Sequence, residues 1–167
     1  TAVPVLLLLL LGTARAQPSC LHFPELLPAK LRELRVKFEE IKDYFQSKDD
    51  DLSIQLLSSD LLEEFKGSLG CQSVSEMMGF YMDEVLPSAM RSSTQHQQSV
   101  GDLGNLLLSL RAMMRRCHRF FTCEERSRSV KHIKETFSKM HSNGIYKAMG
   151  EFDIFINYVE KFLTMRR

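Results

Sequence analysis

Apolar residues recur along this chain at intervals of three and four residues, the spacing of amphipathic α-helices, and no segment alternates as a β-strand would. The first apolar face consists of Leu31, Leu34, Phe38, Ile41 and Phe45. Two prolines, Pro24 and Pro28, precede it, and the polar run at residues 47–51 is expected to end it. The pattern therefore predicts an all-α fold whose first helix is long.

Five more helical segments are predicted after the first. A short one covers residues 54–65 and ends near Gly67. The apolar faces of the other four are Val74, Met77, Met78, Tyr81 and Val85; Leu103, Leu106, Leu107, Leu110, Met113, Met114 and Cys117; Val130, Ile133, Phe137 and Met140; and Phe152, Phe155, Ile156, Val159 and Leu163. The methionines share faces with Leu and Phe, so we expect them in the core. Together the segments predict a six-helix bundle.

Three boundaries between these helices can be read from the sequence. Pro87 is expected to end the third helix, because proline disrupts a helix interior. Residues 92–99 are polar and predict a linker. The pair Asn143-Gly144 suits a left-handed C-terminal cap, which would end the fifth helix.

Composition and charge narrow the class of protein. Of 167 residues, 44% are hydrophobic and 26% charged, which is typical of one folded domain. Basic and acidic residues number 22 and 21, so no overall field favours binding to nucleic acid or to an anionic membrane.

The first sixteen residues have the pattern of a secretory signal peptide. An apolar run at residues 5–11 precedes Ala14-Arg15-Ala16, a small-x-small cleavage site. The run is far shorter than the roughly 20 residues of a membrane anchor, so membrane insertion is not expected. Because Met and a basic n-region are lacking, we expect the signal peptide at residues 1–16 to be incomplete at its N-terminus. Residues 17–167 then form a secreted, extracellular helical domain.

Four cysteines fit two disulfide bonds in that oxidising compartment. They are Cys20, Cys71, Cys117 and Cys123, and the sequence alone leaves all three pairings open. The competing hypothesis is a zinc site of Cys117, His118, Cys123 and His132, but it lacks a Cys-x-x-Cys turn and would leave two cysteines aside. We therefore expect no metal.

The chain contains no motif of a known catalytic or cofactor site. No enzyme activity and no cofactor are expected, and a secreted hydrolase would need active-site residues that cannot be named. A receptor ligand is the leading hypothesis. The amphipathic helices leave one alternative from another class, a secreted lipid-binding protein.

Polar stripes mark the candidate binding surfaces. The first helix carries Arg32, Arg35, Glu39, Lys42 and Gln46 beside its core face, and the last carries Glu151, Asp153, Asn157 and Glu160. Spacing alone favours ordinary solvated faces for both stripes. The same holds for the basic cluster Arg111, Arg115, Arg116 and Arg119, whose alternative ligand is heparan sulfate.

Several sequence segments resemble the interleukin-10 family of class II helical cytokines. They are Cys20-Leu-His-Phe-Pro24, Leu62-Glu-Glu-Phe-Lys-Gly67, Leu69-Gly-Cys-Gln72, Arg115-Arg-Cys-His-Arg-Phe120, and Gly144-Ile-Tyr-Lys-Ala-Met149 with its continuation Glu151-Phe-Asp-Ile-Phe-Ile-Asn-Tyr158. Their order covers essentially the whole of residues 17–167.

The resemblance implies a disulfide pairing, an assembly and a partner. The pairs would be Cys20 with Cys117 and Cys71 with Cys123, and the assembly an intertwined homodimer in which the last two helices of one chain complete the bundle of the other. The partners would be the extracellular domains of the interleukin-10 receptor alpha and beta chains, whose clustering starts Janus-kinase signalling that limits inflammation. Matching positions imply receptor contacts by Arg32, Arg35, Lys42, Gln46, Glu151, Asp153 and Glu160, which reverses the preference for solvated faces.

Two positions depart from the family pattern. The acidic loop at residues 49–53 is one residue longer, so family contacts are not carried over to it. Gly150 stands where a serine is common, which removes a polar side chain.

Overall fold

The computed structural model describes the backbone of residues 23–118 and 127–165, and within these all side chains except those of residues 23, 24, 117 and 118. Its α-helices are α1 (Phe23–Glu39), α2 (Lys42–Lys48), α3 (Ser59–Lys66), α4 (Gly70–Phe80), α5 (Leu86–Ser92), α6 (Gln97–His118), α7 (Arg128–Lys139), α8 (Ser142–Gly150) and α9 (Phe152–Met165). A π-helical turn, Tyr81–Val85, joins α4 to α5, and a 3₁₀ turn, Thr94–His96, precedes α6. The described residues contain no strand, so the all-α prediction is confirmed.

The predicted apolar faces meet in one core. Helix α1 packs against α6 and α9, α2 against α8, α3 against α4 and α9, and α7 against α4 and α8. Tyr81 lies at the centre: its ring stacks on Phe155 with 4.7 Å between centroids, and its hydroxyl donates to the carbonyl of Ala148 at 2.8 Å. Of the five methionines on the predicted faces, Met77, Met78 and Met114 are buried, whereas Met113 and Met140 are only partly buried.

Both predictions from prolines are wrong. Pro28 was expected before the first helix, but it lies inside α1. The first helix is also shorter than predicted, because it ends at Glu39 and a short turn leads into α2. Pro87 lies inside a helical stretch that runs on to Ser92. Proline cannot donate a helical hydrogen bond, and the backbone widens just before it: the amide of Leu86 donates to the carbonyl of Tyr81, five residues back.

The predicted cap at Asn143-Gly144 is also wrong, because both residues belong to α8. Helix α7 ends at Lys139, and the residue of the following turn with positive φ is His141, at 55°. Gly144 serves close packing instead. A Cβ there would lie 2.8 Å from the carbonyl oxygen of Phe137, too near for any side chain.

Two other boundaries shift. Residues 54–58 are not helical, so the second predicted helix begins later, at Ser59. The polar linker is shorter than predicted because α6 already begins at Gln97.

Some predictions fall outside the described residues. The signal peptide at residues 1–16, Cys20, Cys123 and Arg119 lie there, as do the side chains of Cys117 and His118. Cys71 is disulfide-bonded, and its partner is not among the described side chains. The domain boundary at residue 17 and the two pairings stay predictions.

Candidate functional site

Helices α1 and α2 run antiparallel to α9, and this brings the two polar stripes together. The guanidinium of Arg35 donates to Oδ1 of Asn157 at 2.9 Å and to Oε1 of Glu160 at 3.0 Å. The Arg35 and Glu160 side chains stay 37% and 42% exposed. Because pairs exposed to water add little stability, these charges are available to a partner.

The contact between the stripes continues along α2. Lys42 lies 3.9 Å from Asp153 and 3.7 Å from Glu39. Gln46 donates from Nε2 to the carbonyl of Gly150 at 2.9 Å, and a Cβ at Gly150 would lie only 3.2 Å from Cγ of Gln46. A side chain at 150 would therefore require Gln46 to shift by a few tenths of an ångström.

We call this surface the charged ridge. It consists of Arg32, Arg35, Lys42, Gln46, Asp153, Asn157 and Glu160. Arg32 is exposed one turn before Arg35 on α1. Contacts between the helices therefore bring together five of the seven predicted contact residues, and Arg32 lies beside them on α1.

The seventh, Glu151, faces a loop rather than the ridge. Its carboxylate accepts hydrogen bonds from the amides of Leu56 at 2.8 Å and Leu57 at 2.7 Å. Burial raises the pKa of the Glu151 carboxyl, although the two amides and Lys147 oppose that shift. Glu151 thus holds the end of the connection between α2 and α3, which we call the 49–58 loop.

A lysine that the sequence analysis did not single out holds the start of the same loop. Lys147 is only 2% exposed, and its ammonium donates to Oδ2 of Asp49 at 2.8 Å. It also donates to the carbonyls of Asp51 and Ile54, both at 2.5 Å. Burial would raise the pKa of Asp49, but hydrogen bonds from Lys147, the Asp51 amide and Asn143 outweigh it and lower that pKa.

One signal could have revealed this cluster. Asn143 and Lys147 in α8 and Glu151 directly after it are spaced by four residues, so all three lie on one side. Asn143 accepts from the Asp50 amide at 3.0 Å and donates to Asp49 at 3.1 Å, so all three side chains bind the loop. The sequence therefore shows this polar stripe, but it does not show that the stripe binds the 49–58 loop.

The structure gives less support to the other two candidate sites, the basic cluster on α6 and the alternative zinc site. Arg111 has a lowered pKa because of burial and the nearby charge of Arg115, while Arg116 is exposed. Of the alternative zinc ligands only His132 has a described side chain, and it is exposed on α7. Across residues 23–118 and 127–165, no group of three potential metal ligands was found, and no helix is long and apolar enough to cross a membrane.

Comparison with known proteins identifies the family. The family model described as Interleukin 10 matches residues 6–165, almost the whole chain. The chain belongs to the interleukin-10 family. Among curated interleukin-10 proteins it is 77% identical to that of Gallus gallus over 151 residues, which cover 90% of this chain and 86% of the relative. It is 52% identical to that of Felis catus, over 90% of this chain and 84% of the relative. It is 48% identical to that of Sus scrofa, over 96% of this chain and 93% of the relative.

Membership decides the broad function. Interleukin-10 family proteins are secreted cytokines and not enzymes, so this chain is a secreted cytokine. The resemblance found in the sequence segments is confirmed.

Proposed function

We propose that this interleukin-10 family cytokine signals by clustering the interleukin-10 receptor alpha and beta chains, and that the charged ridge binds the alpha chain. One observation carries the proposal: residues more than 100 positions apart, such as Arg35 and Glu160, form a continuous polar surface that stays partly exposed. A receptor can replace these weak contacts with stronger ones from which water is excluded.

We also propose that the active form is an intertwined homodimer. In the single chain, α8 and α9 pack against α1, α2 and α3, and Phe152 lies 5.6 Å from Phe38 between ring centroids. In the dimer the same contacts would form between chains, so each bundle would present one charged ridge. Two ridges on one molecule are what receptor clustering requires. Sedimentation of the oxidised protein at micromolar concentration tests this, since a monomer alone would contradict it.

The receptor surface is tested by two substitutions on opposite helices. We expect Arg35→Ala and Asp153→Ala each to weaken binding to the alpha-chain ectodomain by about 1–3 kcal/mol in surface plasmon resonance. Lys139→Ala is the matched control, because Lys139 is exposed at the end of α7 and outside the ridge. Unchanged affinity in both ridge variants would remove the ridge from the binding site.

The lipid-binding alternative finds no support in the packing. The apolar faces of α1, α6 and α9 lie in one buried core rather than exposed to a lipid surface. Liposome co-sedimentation is the direct check, and we expect the protein to stay in the supernatant.

A further inference from the structure

Lys147 has an unusual role for a buried lysine. Burying an ammonium group is costly unless each of its three N–H donors finds an acceptor. Its three acceptors within the described part of the chain are Oδ2 of Asp49 and the carbonyls of Asp51 and Ile54. All three belong to the 49–58 loop. The lysine therefore binds the loop as a three-point clamp.

The loop is held at both ends by α8 and the residue that follows it. Asn143 and Lys147 hold its start, and Glu151 holds its end through the amides of Leu56 and Leu57. Loop side chains that make no such contacts point outwards: Leu52 is 84% exposed and Ile54 is 39% exposed. An apolar side chain held in a fixed place loses little entropy on binding, which favours affinity.

The loop also adjoins the charged ridge. Leu52, Ile54 and Lys147 line a cleft of about 340 Å³ together with Gln46 and Asp153, which belong to the ridge. A displaced loop would therefore change the edge of the ridge itself.

We infer that Lys147 is a positioning residue, which gives the 49–58 loop its shape and thereby completes the receptor-binding surface. The inference rests on the proposed function. In the intertwined dimer, the helix that carries this lysine would come from the partner chain, so the loop of each surface would be shaped only after the partner had docked. Receptor binding would then depend on assembly through one buried side chain.

The experiment compares Lys147→Met with Lys139→Met in the full-length mature protein. Methionine keeps the length and apolar character of the lysine stem but removes the donors. Hydrogen exchange is followed at the amides of Asp50 and Asp51, which bind Asn143 and Asp49. We expect these amides to exchange about tenfold faster or more in Lys147→Met, with core amides of α6 and α9 unchanged. Affinity for the alpha-chain ectodomain should fall by about tenfold.

The control variant Lys139→Met should leave both measurements unchanged. If Lys147 acted only on global stability, exchange would rise in α6 and α9 as well, and that result would overturn the inference. Faster loop exchange with unchanged affinity would also overturn it. The affinity of Arg35→Ala tests the ridge proposal separately. A failure of that proposal can therefore be told apart from a failure of the clamp.

Asp49→Asn provides a second variant should Lys147→Met fail to fold. It preserves the size of the side chain and removes its charge, while Lys147 keeps its two carbonyl acceptors. We expect a smaller change in the same direction, about threefold in loop exchange and in affinity. Unchanged loop exchange in this variant would contradict the clamp.

Discussion

The charged ridge and the loop clamp contain the same kinds of groups in opposite environments. In the ridge, Arg35 and Glu160 form a 3.0 Å pair whose side chains remain roughly 40% exposed. In the clamp, Lys147 and Asp49 form a 2.8 Å pair that is 2% and 11% exposed. Water competes for the first pair and is nearly excluded from the second.

This difference separates two tasks on one face of the molecule. A partly exposed pair contributes little to folding, so a receptor can exchange its partners at small cost. A buried pair is expensive to break, because either partner would be left without hydrogen bonds. The ridge is thus suited to binding and the clamp to maintaining shape.

The largest effect on stability is expected at the end of the loop. In Glu151→Ala the amides of Leu56 and Leu57 lose their acceptor, and the free energy of unfolding should fall by about 2 kcal/mol. Urea unfolding at pH 7 measures it. Glu63→Ala, an exposed glutamate on α3, is the matched control and should change stability by less than about 0.5 kcal/mol. A loss as small as that of the control would mean that the loop end is not held by Glu151.

A partly buried carboxylate tests the comparison through pH. Glu64 accepts from the Ser73 hydroxyl at 2.7 Å, the Ser127 hydroxyl at 2.5 Å and the Ser129 amide at 3.0 Å. Burial would raise its pKa, but these hydrogen bonds together lower it below the ordinary 4.5. The stability it provides is therefore fully present above pH 4.5 and lost as pH falls through the lower pKa of the folded state.

Glu64→Gln should remove that pH dependence. At pH 7 we expect it to cost about 1 kcal/mol, because a neutral amide accepts hydrogen bonds more weakly than a carboxylate. Urea unfolding at pH 7 and pH 3 should show a smaller loss on acidification than in the original protein. Asp49 also has a lowered pKa and Glu151 a raised one, but both are common to the two proteins, so the difference isolates Glu64. An equal loss on acidification would contradict the assignment.

The ridge could be predicted from sequence, and the clamp could not. Helical geometry fixes which side chains share a face, so the stripe of Arg35 and Lys42 and the stripe of Asp153 and Glu160 followed from spacing. The turn that separates Arg35 in α1 from Lys42 in α2 did not. Only the family resemblance connected the two helices. The burial of Lys147 depends on a loop more than 90 residues away, which no local pattern specifies.

The wrong boundaries have a similar origin. Pro87 and Gly144 are common helix terminators, and their local signals were read correctly. The packing of the whole bundle overrides them: a π-helical turn accommodates the proline, and the glycine gives α8 room to approach the carbonyl of Phe137. Tertiary contacts of this kind are invisible to periodicity.

The smallest expected effect concerns the pair of Lys42 and Asp153. At 3.9 Å, with side chains 31% and 39% exposed, the pair should show a coupling energy below about 0.5 kcal/mol in a double-mutant cycle for unfolding. The same cycle measured on receptor affinity should give a larger coupling, because bound receptor excludes water from both charges. A coupling above about 1 kcal/mol in the free protein would mean that this pair stabilises the fold, as the clamp does. The ridge would then contribute to the fold as well as to binding, and the separation of tasks between the two regions would fail.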